Sequence, residues 1–199
     1  MKLILLRHGQ SQWNLENKFA GWTDIPITEE GKKQAKEAGK NIKGIKIDIA
    51  FTSKLQRASE TLRIVLQETG LKIKTIESEK LNERHYGKLQ GINREEAKKK
   101  FGEEQVHKWR RGYSDTPPEG ESLKDVVNRV VPYYEKEILP ELKDGKNVII
   151  VAHGNSLRAL IKHLEKLSDE DIMKVEIPLC VPLIYDIDES GDVMNKGSF

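Results

Sequence analysis

Two apolar runs in this chain end in a His-Gly pair: Leu3-Ile4-Leu5-Leu6-Arg7-His8-Gly9 and Val148-Ile149-Ile150-Val151-Ala152-His153-Gly154. Short, continuous apolar runs are typical of strands buried on both faces of a parallel sheet. In an open α/β sheet, ligands bind just beyond the carboxyl ends of the strands. If the two strands lie side by side, we expect His8, His153 and Arg7 to meet at one anion-sized spot.

A histidine at the end of such a strand has the properties of a phosphoryl carrier. Imidazole is a neutral nucleophile near pH 7, and its second ring nitrogen can donate to a carbonyl that fixes the tautomer. The glycine that follows each histidine lets the backbone turn sharply and approach a ligand closely. Arg7 and Arg158 lie near the two histidines in sequence. The pattern predicts phosphoryl transfer through a histidine.

Composition indicates an ordinary globular chain. Its 199 residues fit one domain, with 33% charged and 37% hydrophobic residues. The net charge of +2 is too small to indicate nucleic acid or a membrane surface as a partner. The single cysteine, Cys180, excludes an intrachain disulfide and is expected to be a small buried side chain. The first apolar run is too short for a signal peptide, so we expect a cytoplasmic protein.

Strand and helix patterns alternate along the chain, which predicts the α/β class: a mostly parallel central sheet flanked by helices on both faces. Residues 80–121 are polar, carry most of the remaining arginines and aromatics, and contain two short helical patterns. We interpret them as a helical cover segment over the active edge of one domain, residues 1–199. Beyond the two runs above, the predicted helices are Thr28 to about Ile42, Lys54–Thr69, Ser122 to about Leu139 with a kink at Pro132, and Asn155–Leu167, and the predicted strands are Asp48–Thr52, Lys74–Glu77 and Pro182–Ile187.

Several motifs together resemble the histidine phosphatase superfamily and, within it, the cofactor-dependent phosphoglycerate mutases. Arg-His-Gly alone is a superfamily-level signal, whereas the Glu-Arg-His-Tyr-Gly and Trp-Arg-Arg-Gly segments are typical of the mutases. The resemblance covers nearly the whole chain and is carried by Arg7-His8-Gly9-Gln10-Ser11-Gln12-Trp13-Asn14, Leu81-Asn82-Glu83-Arg84-His85-Tyr86-Gly87, Leu89-Gln90-Gly91-Ile92-Asn93, Trp109-Arg110-Arg111-Gly112, Thr116-Pro117-Pro118 and Ala152-His153-Gly154-Asn155-Ser156-Leu157-Arg158-Ala159.

The resemblance implies a role for each matching residue. His8 is the expected nucleophile, and Arg7, Arg57 and His153 are expected to clamp the transferring phosphoryl group. Glu83 is the expected general acid and base, with its pKa raised by the nearby phosphate. The implied substrate-binding set is Arg7, Asn14, Ala20, Gly21, Arg57, Glu83, Arg84, His85, Tyr86, Arg94, Arg110, Arg111, Gly154 and Asn155.

The implied activity is interconversion of 3-phosphoglycerate and 2-phosphoglycerate in glycolysis and gluconeogenesis. The implied cofactor is 2,3-bisphosphoglycerate, which phosphorylates His8; no metal is expected, because His85, His107 and His163 form no ligand set. The expected partners are small phosphoglycerates, with no nucleic acid and no membrane; assembly into a homo-oligomer stays open. Two alternatives remain: a histidine-type phosphomonoester phosphatase with water as acceptor, and a non-catalytic protein that binds phosphorylated ligands.

The chain departs from the family pattern in several places. Gln10 stands where a glutamate is usual, Ala20 where a hydroxyl residue often precedes the glycine, and Arg94 where a lysine is usual. The chain passes almost directly from Glu119 to Ser122, without a loop found in many members, and it ends at Phe199 without their extended tail. A shorter cover admits water more easily, so we expect comparatively large hydrolysis of the phosphorylated enzyme.

Overall fold

Six strands form one sheet in this computed structural model, which describes residues 1–198. The order is β3-β2-β4-β1-β5-β6, with the first four strands mutually parallel and the last two antiparallel to their neighbours. The mostly parallel sheet that the sequence predicts is confirmed. The strands are β1 (Lys2–Arg7), β2 (Ile49–Thr52), β3 (Lys74–Glu77), β4 (Val148–Ala152), β5 (Leu183–Ile187) and β6 (Val193–Ser198).

The helices lie on both faces of this sheet and in the cover segment. They are α1 (Gln12–Leu15), α2 (Glu29–Asn41), α3 (Gln56–Thr69), α4 (Arg94–Phe101), α5 (Glu103–Arg111), α6 (Leu123–Tyr133), α7 (Leu139–Lys143), α8 (Gly154–Leu164) and α9 (Asp169–Lys174), with 3₁₀ turns at Glu79–Leu81 and Gly87–Leu89. No helix within residues 1–198 is long and apolar enough to span a bilayer.

The helix after Ser122 differs from its predicted form. It continues through Pro132, widens into a π-type turn over Tyr134–Ile138 and resumes as α7. Proline has no N–H to donate to the preceding turn, so the helix accommodates the lost hydrogen bond. The predicted kink is therefore a wide turn just after Pro132, and the helix extends beyond Leu139.

Alternate residues of β1 reach opposite faces of the sheet. Leu3 and Leu5 belong to an apolar core shared with α6 and α8. Ile4 and Leu6 belong to a second core shared with α2 and α3. All four side chains are almost fully buried. This burial on both faces explains why the strand reads as one continuous apolar run.

The register of β1 against β4 positions the two His-Gly pairs. Arg7 lies opposite Ala152, and the His8 N–H donates to the Ala152 carbonyl at 3.0 Å. On the other side, the Cys180 N–H donates to the Arg7 carbonyl at 3.1 Å, and the Cys180 side chain is only 6% exposed. His8 and His153 therefore leave the sheet next to each other, as predicted.

The cover segment has an apolar cluster of its own and is tied to the loop after β1. It contains the two short helices that the sequence predicts, α4 and α5. The Phe19 N–H donates to the Ile92 carbonyl at 3.1 Å, and the Gly91 N–H donates to the Phe19 carbonyl at 2.9 Å. The buried members of the cluster are Phe19, Leu89, Ala97 and Val106.

Candidate active site

A pocket of about 210 Å³ opens at the carboxyl ends of β1 and β4. Basic side chains from the sheet edge and from the cover segment line it together. Such a surplus of positive charge in a concave site favours a ligand with more than one anionic group. The basic lining residues are Arg7, Lys18, Arg57, Arg94, Arg110, Arg111 and Arg158, and the acidic ones are Glu83 and Glu176.

His8 lies in this pocket with a defined tautomer. Its Nδ1 is 2.7 Å from the Gly9 carbonyl oxygen, and the side chain is 2% exposed. A carbonyl can only accept, so Nδ1 carries the hydrogen and Nε2 keeps its lone pair. Burial, and then the charges of Arg57 and Arg7, lower the pKa of His8 well below its ordinary value. The ring is therefore neutral at physiological pH, with the lone pair on Nε2.

The loop after β1 turns where two glycines meet. A Cβ on Gly9 would lie 2.4 Å from the Gly31 carbonyl oxygen, and a Cβ on Gly31 would lie 2.3 Å from the Gln10 carbonyl oxygen. The Gly9 N–H donates to the Thr61 hydroxyl at 3.0 Å. The close approach of loop and helix needs glycine on both sides and fixes the backbone that carries His8.

His153 faces His8 with a ring-centroid separation of 5.1 Å. Its Nε2 is 2.7 Å from the Ser53 hydroxyl oxygen, and its Nδ1 is buried with no hydrogen-bond partner among residues 1–198. Burial, then Arg57 and His8, lower the pKa of His153 well below its ordinary value. One edge of this neutral ring is thus fixed by Ser53, while the Nδ1 atom remains available.

Two arginines, the buried Arg57 and the partly exposed Arg7, flank the histidines. Arg57, 1% exposed, donates to the Thr23 carbonyl at 3.0 Å and to the Gly21 carbonyl at 2.6 Å. Burial lowers the pKa of Arg57 to about 10, which leaves it a cation at neutral pH. Arg7 donates through Nη1 to the Ile177 carbonyl at 2.8 Å, and its buried Nε has no partner within the described chain. Both guanidinium groups are held in place before any ligand binds.

Glu83 is a buried carboxylate held by two backbone N–H groups. Its Oε1 accepts from Arg84 at 2.8 Å and from Asn155 at 3.1 Å. Burial raises the pKa of Glu83, but the Arg84 N–H and the charges of Arg57 and Arg7 outweigh it, so the pKa is lowered. The predicted rise in the pKa of Glu83 assumed a phosphate beside the carboxyl group. Without it, the protein's own groups lower this pKa and keep Glu83 ionised.

The segment that carries Glu83 is fixed by two residues that sequence reasoning missed. The Trp22 indole N–H donates to the Glu83 carbonyl at 2.6 Å. Arg129 of α6 donates to the same carbonyl at 2.8 Å and to the Asn82 carbonyl at 3.0 Å. Its Nε also pairs with Glu121 at 2.8 Å. No local motif marks either residue, because both act through backbone atoms distant in sequence.

Tyr86 and Asn155 line the pocket, whereas Arg84 and His85 do not. Arg84 is fully buried behind Tyr86 and donates to its hydroxyl at 3.1 Å and to the Arg110 carbonyl at 2.7 Å. The His85 ring packs edge-on against Trp22, at a centroid distance of 5.6 Å. The Arg84 and His85 side chains therefore support the pocket wall.

The small residues that the resemblance implies for the site contribute to the pocket lining. Asn14, Ala20, Gly21 and Gly154 all line the pocket. Gly21 has a φ of +53°, and a Cβ there would lie 2.1 Å from the Gln90 side-chain oxygen. Glycine is therefore required at this turn, which presents the backbone to the pocket.

The cover segment contributes Arg94, Arg110 and Arg111 to the pocket lining. Sequence reasoning did not assign Arg158 to the site, although it lies one helical turn after Gly154, and that spacing is a usable signal. Lys18, Glu176 and Ile177 also line the pocket, and no local pattern marks them. Within residues 1–198, no three His, Cys, Asp or Glu side chains gather as a potential metal site.

Comparisons with known sequences agree with this geometry. Residues 3–196 match the profile of the histidine phosphatase superfamily (branch 1). A Parvibaculum lavamentivorans protein named 2,3-bisphosphoglycerate-dependent phosphoglycerate mutase is 53% identical over 197 residues, which cover 98% of this chain and 94% of that protein. The Schizosaccharomyces pombe phosphoglycerate mutase is 52% identical, with 98% and 93% covered.

Solved structures share the fold. Bacillus stearothermophilus YhfR superposes with a TM-score of 0.86 at 27% identity, covering 96% of this chain and 93% of that one. A mycobacterial glucosyl-3-phosphoglycerate phosphatase in complex with VO3 superposes with a TM-score of 0.84 at 24% identity, covering 99% and 96%. At that identity the second match bears on the fold alone.

Proposed function

The chain belongs to the histidine phosphatase superfamily, and on that premise we propose that it is a phosphoglycerate mutase dependent on 2,3-bisphosphoglycerate. It interconverts 3-phosphoglycerate and 2-phosphoglycerate, an isomerase reaction of glycolysis and gluconeogenesis. Full-length relatives at about 50% identity carry this name, including those from Parvibaculum lavamentivorans and Cytophaga hutchinsonii.

One observation carries the proposal: the nucleophile and the cover-segment arginines face the same pocket. Arg7 and Arg57 stand beside His8, whereas Arg94 and Arg110 come from the cover helices. A phosphatase needs cations around one phosphate, but a mutase must also hold a second anionic group of a ligand that reacts at either end. Guanidinium groups suit both a carboxylate and a phosphate.

The residues present fit 2,3-bisphosphoglycerate. Buried nitrogen atoms of three pocket arginines, Nε of Arg7, Nε of Arg94 and Nη1 of Arg111, have no partner among residues 1–198, and such donors are normally satisfied. The Arg7 donor lies at the sheet edge, whereas those of Arg94 and Arg111 lie on the cover segment. Donors at two separate places suit a ligand with two phosphates. When bound, the bisphosphate supplies the phosphoryl group that His8 carries.

His8 Nε2 attacks phosphorus as the bond from phosphorus to the ligand oxygen breaks. The charge that spreads over the phosphoryl oxygens is met by Arg7 and Arg57, with His153 beside them. Because these groups are held by backbone carbonyls and by Ser53, little reorganisation is needed during the reaction. The more negative charge develops on the phosphoryl oxygens in the transition state, the more these positioned cations lower the activation barrier.

Glu83 exchanges the proton that accompanies each transfer. Its lowered pKa means that it starts as a carboxylate, ready to take the proton of the accepting hydroxyl. In the opposite direction it returns that proton to the oxygen that leaves phosphorus. The phosphate dianion beside it raises its proton affinity again, which makes both directions accessible.

The proposal extends to the setting of the enzyme. We place it in the cytoplasm with small phosphoglycerates as partners, since the substrates of glycolysis are found there, and we treat residues 1–199 as one domain. No metal takes part.

Turnover of 3-phosphoglycerate, measured with and without added 2,3-bisphosphoglycerate and with a chelator present, tests the function. We expect turnover that requires priming by the bisphosphate and is unaffected by the chelator. Interconversion that ignores the bisphosphate and stops with the chelator would contradict the proposal.

A further inference from the structure

Glu176 brings a second carboxylate, besides that of Glu83, into a pocket lined mainly by basic side chains. Its Oε1 lies 2.5 Å from Arg111 Nη2, and its Oε2 lies 3.8 Å from Arg158 Nη2. The Glu176 side chain is 70% exposed, whereas those of Arg111 and Arg158 are only 23% and 10% exposed. An exposed carboxylate is thus paired with two much less exposed cations of the pocket.

The backbone on both sides of Glu176 is held by hydrogen bonds, whereas its side chain is largely exposed. Arg158 Nε donates to the Val175 carbonyl at 2.9 Å, and Arg7 Nη1 donates to the Ile177 carbonyl at 2.8 Å. No backbone movement is therefore needed for the carboxylate to swing. Glu176 also lines a second, larger cleft, whose charged lining includes Lys108 and Lys174 as well as Asp115 and Glu170.

We propose that Glu176 is a specificity-determining residue: a displaceable internal counter-ion that competes with the ligand's non-reacting anionic group for Arg111 and Arg158. The inference rests on the proposed function and adds a ligand-selecting element to it. When the ligand binds, its anion takes the place of the carboxylate on the two guanidinium groups. Glu176 then turns out toward the second cleft.

The competition acts unequally on the two kinds of ligand. A monophosphoglycerate presents a phosphate and a carboxylate, whereas 2,3-bisphosphoglycerate adds a second phosphate dianion. Repulsion from Glu176 therefore disfavours the bisphosphate more strongly. The residue restrains the bisphosphate from occupying the site at the expense of substrate.

Binding without turnover isolates this effect. We would place Glu176→Gln in the His8→Asn background and titrate 2-phosphoglycerate and 2,3-bisphosphoglycerate by calorimetry. Since a partly exposed ion pair contributes modestly, we expect the Kd for the monophosphate to fall about twofold and that for the bisphosphate roughly five- to tenfold. The gain should shrink in 0.5 M KCl, because salt screens the repulsion.

Glu189→Gln is the matched control, since it removes an equal charge from an exposed position between β5 and β6, away from both clefts. It should change both Kd values less than twofold. If Glu176→Gln binds both ligands as Glu189→Gln does, or binds them more weakly, the inference is wrong. The proposed function fails separately, if the chain with His8 intact does not interconvert the monophosphates.

Discussion

At His8 the chemistry depends on which ring nitrogen carries the hydrogen. The Gly9 carbonyl holds the hydrogen on Nδ1, and burial, followed by the charges of Arg57 and Arg7, disfavours a second proton. Ser53 gives His153 a comparable fixed orientation. The reactive nitrogen is thus prepared by its surroundings before the ligand arrives.

Replacing His8 by asparagine removes the nucleophile while keeping a polar side chain of similar size. We expect His8→Asn to lower kcat by about 10⁴-fold or more, because the covalent route is lost. Coupled turnover assays and acid-labile phosphate on the protein after incubation with 2,3-bisphosphoglycerate measure this. Undiminished interconversion in the variant would exclude His8 as the carrier.

The two buried histidines should make stability depend on pH. Their folded pKa values lie below the unfolded value of about 6.5, so the unfolded chain binds more protons in this range. The free energy of unfolding therefore has its full value above about pH 6.5. At lower pH it falls, by at most about 1.4 kcal/mol per pH unit for each histidine. The pKa of Glu83 is lowered in the folded protein, so Glu83 is ionised in both the folded and the unfolded chain above about pH 4.5. It contributes to the pH dependence of stability only below that pH.

Urea unfolding between pH 5.5 and 7.5 measures this effect. We expect the wild-type midpoint to fall as the pH drops and the His8→Asn variant to show a shallower decline, since one titrating group is gone. Identical slopes for the two proteins would show that His8 is not protonated on unfolding.

Residue identities in the pocket could largely be predicted from the sequence. Tyr86 and Asn155 lie in the pocket that the motifs imply for them, whereas Arg84 and His85 are adjacent in sequence but turn behind the wall. Motif matching cannot separate these cases, because side-chain direction there depends on tertiary contacts. For the same reason it did not identify Glu176, whose partners are distant in sequence.

At the scale of elements, α6 reaches across to hold the cover segment through Arg129. Its guanidinium donates to the carbonyls of Lys80, Asn82 and Glu83 and pairs with Glu121. Lysine carries the same charge but cannot reproduce this planar set of donors. The position of Glu83 thus depends on a helix outside the catalytic motifs.

We expect Arg129→Lys to lower kcat about tenfold and to destabilise the fold by about 1–3 kcal/mol, since charge-assisted hydrogen bonds to buried carbonyls are lost. Steady-state kinetics and urea unfolding measure the two effects. Arg63→Lys, at an exposed position of α3, is the control and should change neither quantity. Equal behaviour of the two variants would remove Arg129 from the positioning of Glu83.

Helices and strands with a strong hydrophobic pattern could be predicted from the sequence, and weakly patterned ones could not. β1 and β4 are apolar throughout because both faces are buried. β6 is a polar, largely exposed edge strand, so it lacks the alternation that indicates a strand. The short α9 has a capping serine but only one buried apolar residue, Ile172, and was likewise missed.

At the scale of the whole molecule, the cover is short. Residues 117–121 run directly along the 85–88 segment, with the Lys88 N–H donating to the Pro118 carbonyl at 2.9 Å and the Glu121 N–H to the His85 carbonyl at 2.7 Å. The Lactiplantibacillus plantarum relative aligns over 223 positions, more than the 199 residues of this chain, so it contains additional residues. The predicted departure from the family pattern at Phe199 lies outside the described residues.

We expect this chain to hydrolyse 2,3-bisphosphoglycerate faster, relative to its mutase rate, than the Lactiplantibacillus plantarum relative does. Water reaches a phosphorylated histidine more easily when less chain covers the pocket. Phosphate release and mutase turnover, measured side by side on both proteins, give the ratio. Negligible hydrolysis by this chain would show that the short cover excludes water well enough.

The burial of Cys180 has a practical consequence. Its thiol is shielded, and burial raises the pKa of the thiol to about 12. Its backbone N–H donates a hydrogen bond to the carbonyl of Arg7, the last residue of β1. As the sole sulfhydryl of the chain, it resists alkylating reagents until this edge opens. The rate at which iodoacetamide labels Cys180 therefore reports how often the native protein opens locally around this residue, without an engineered probe.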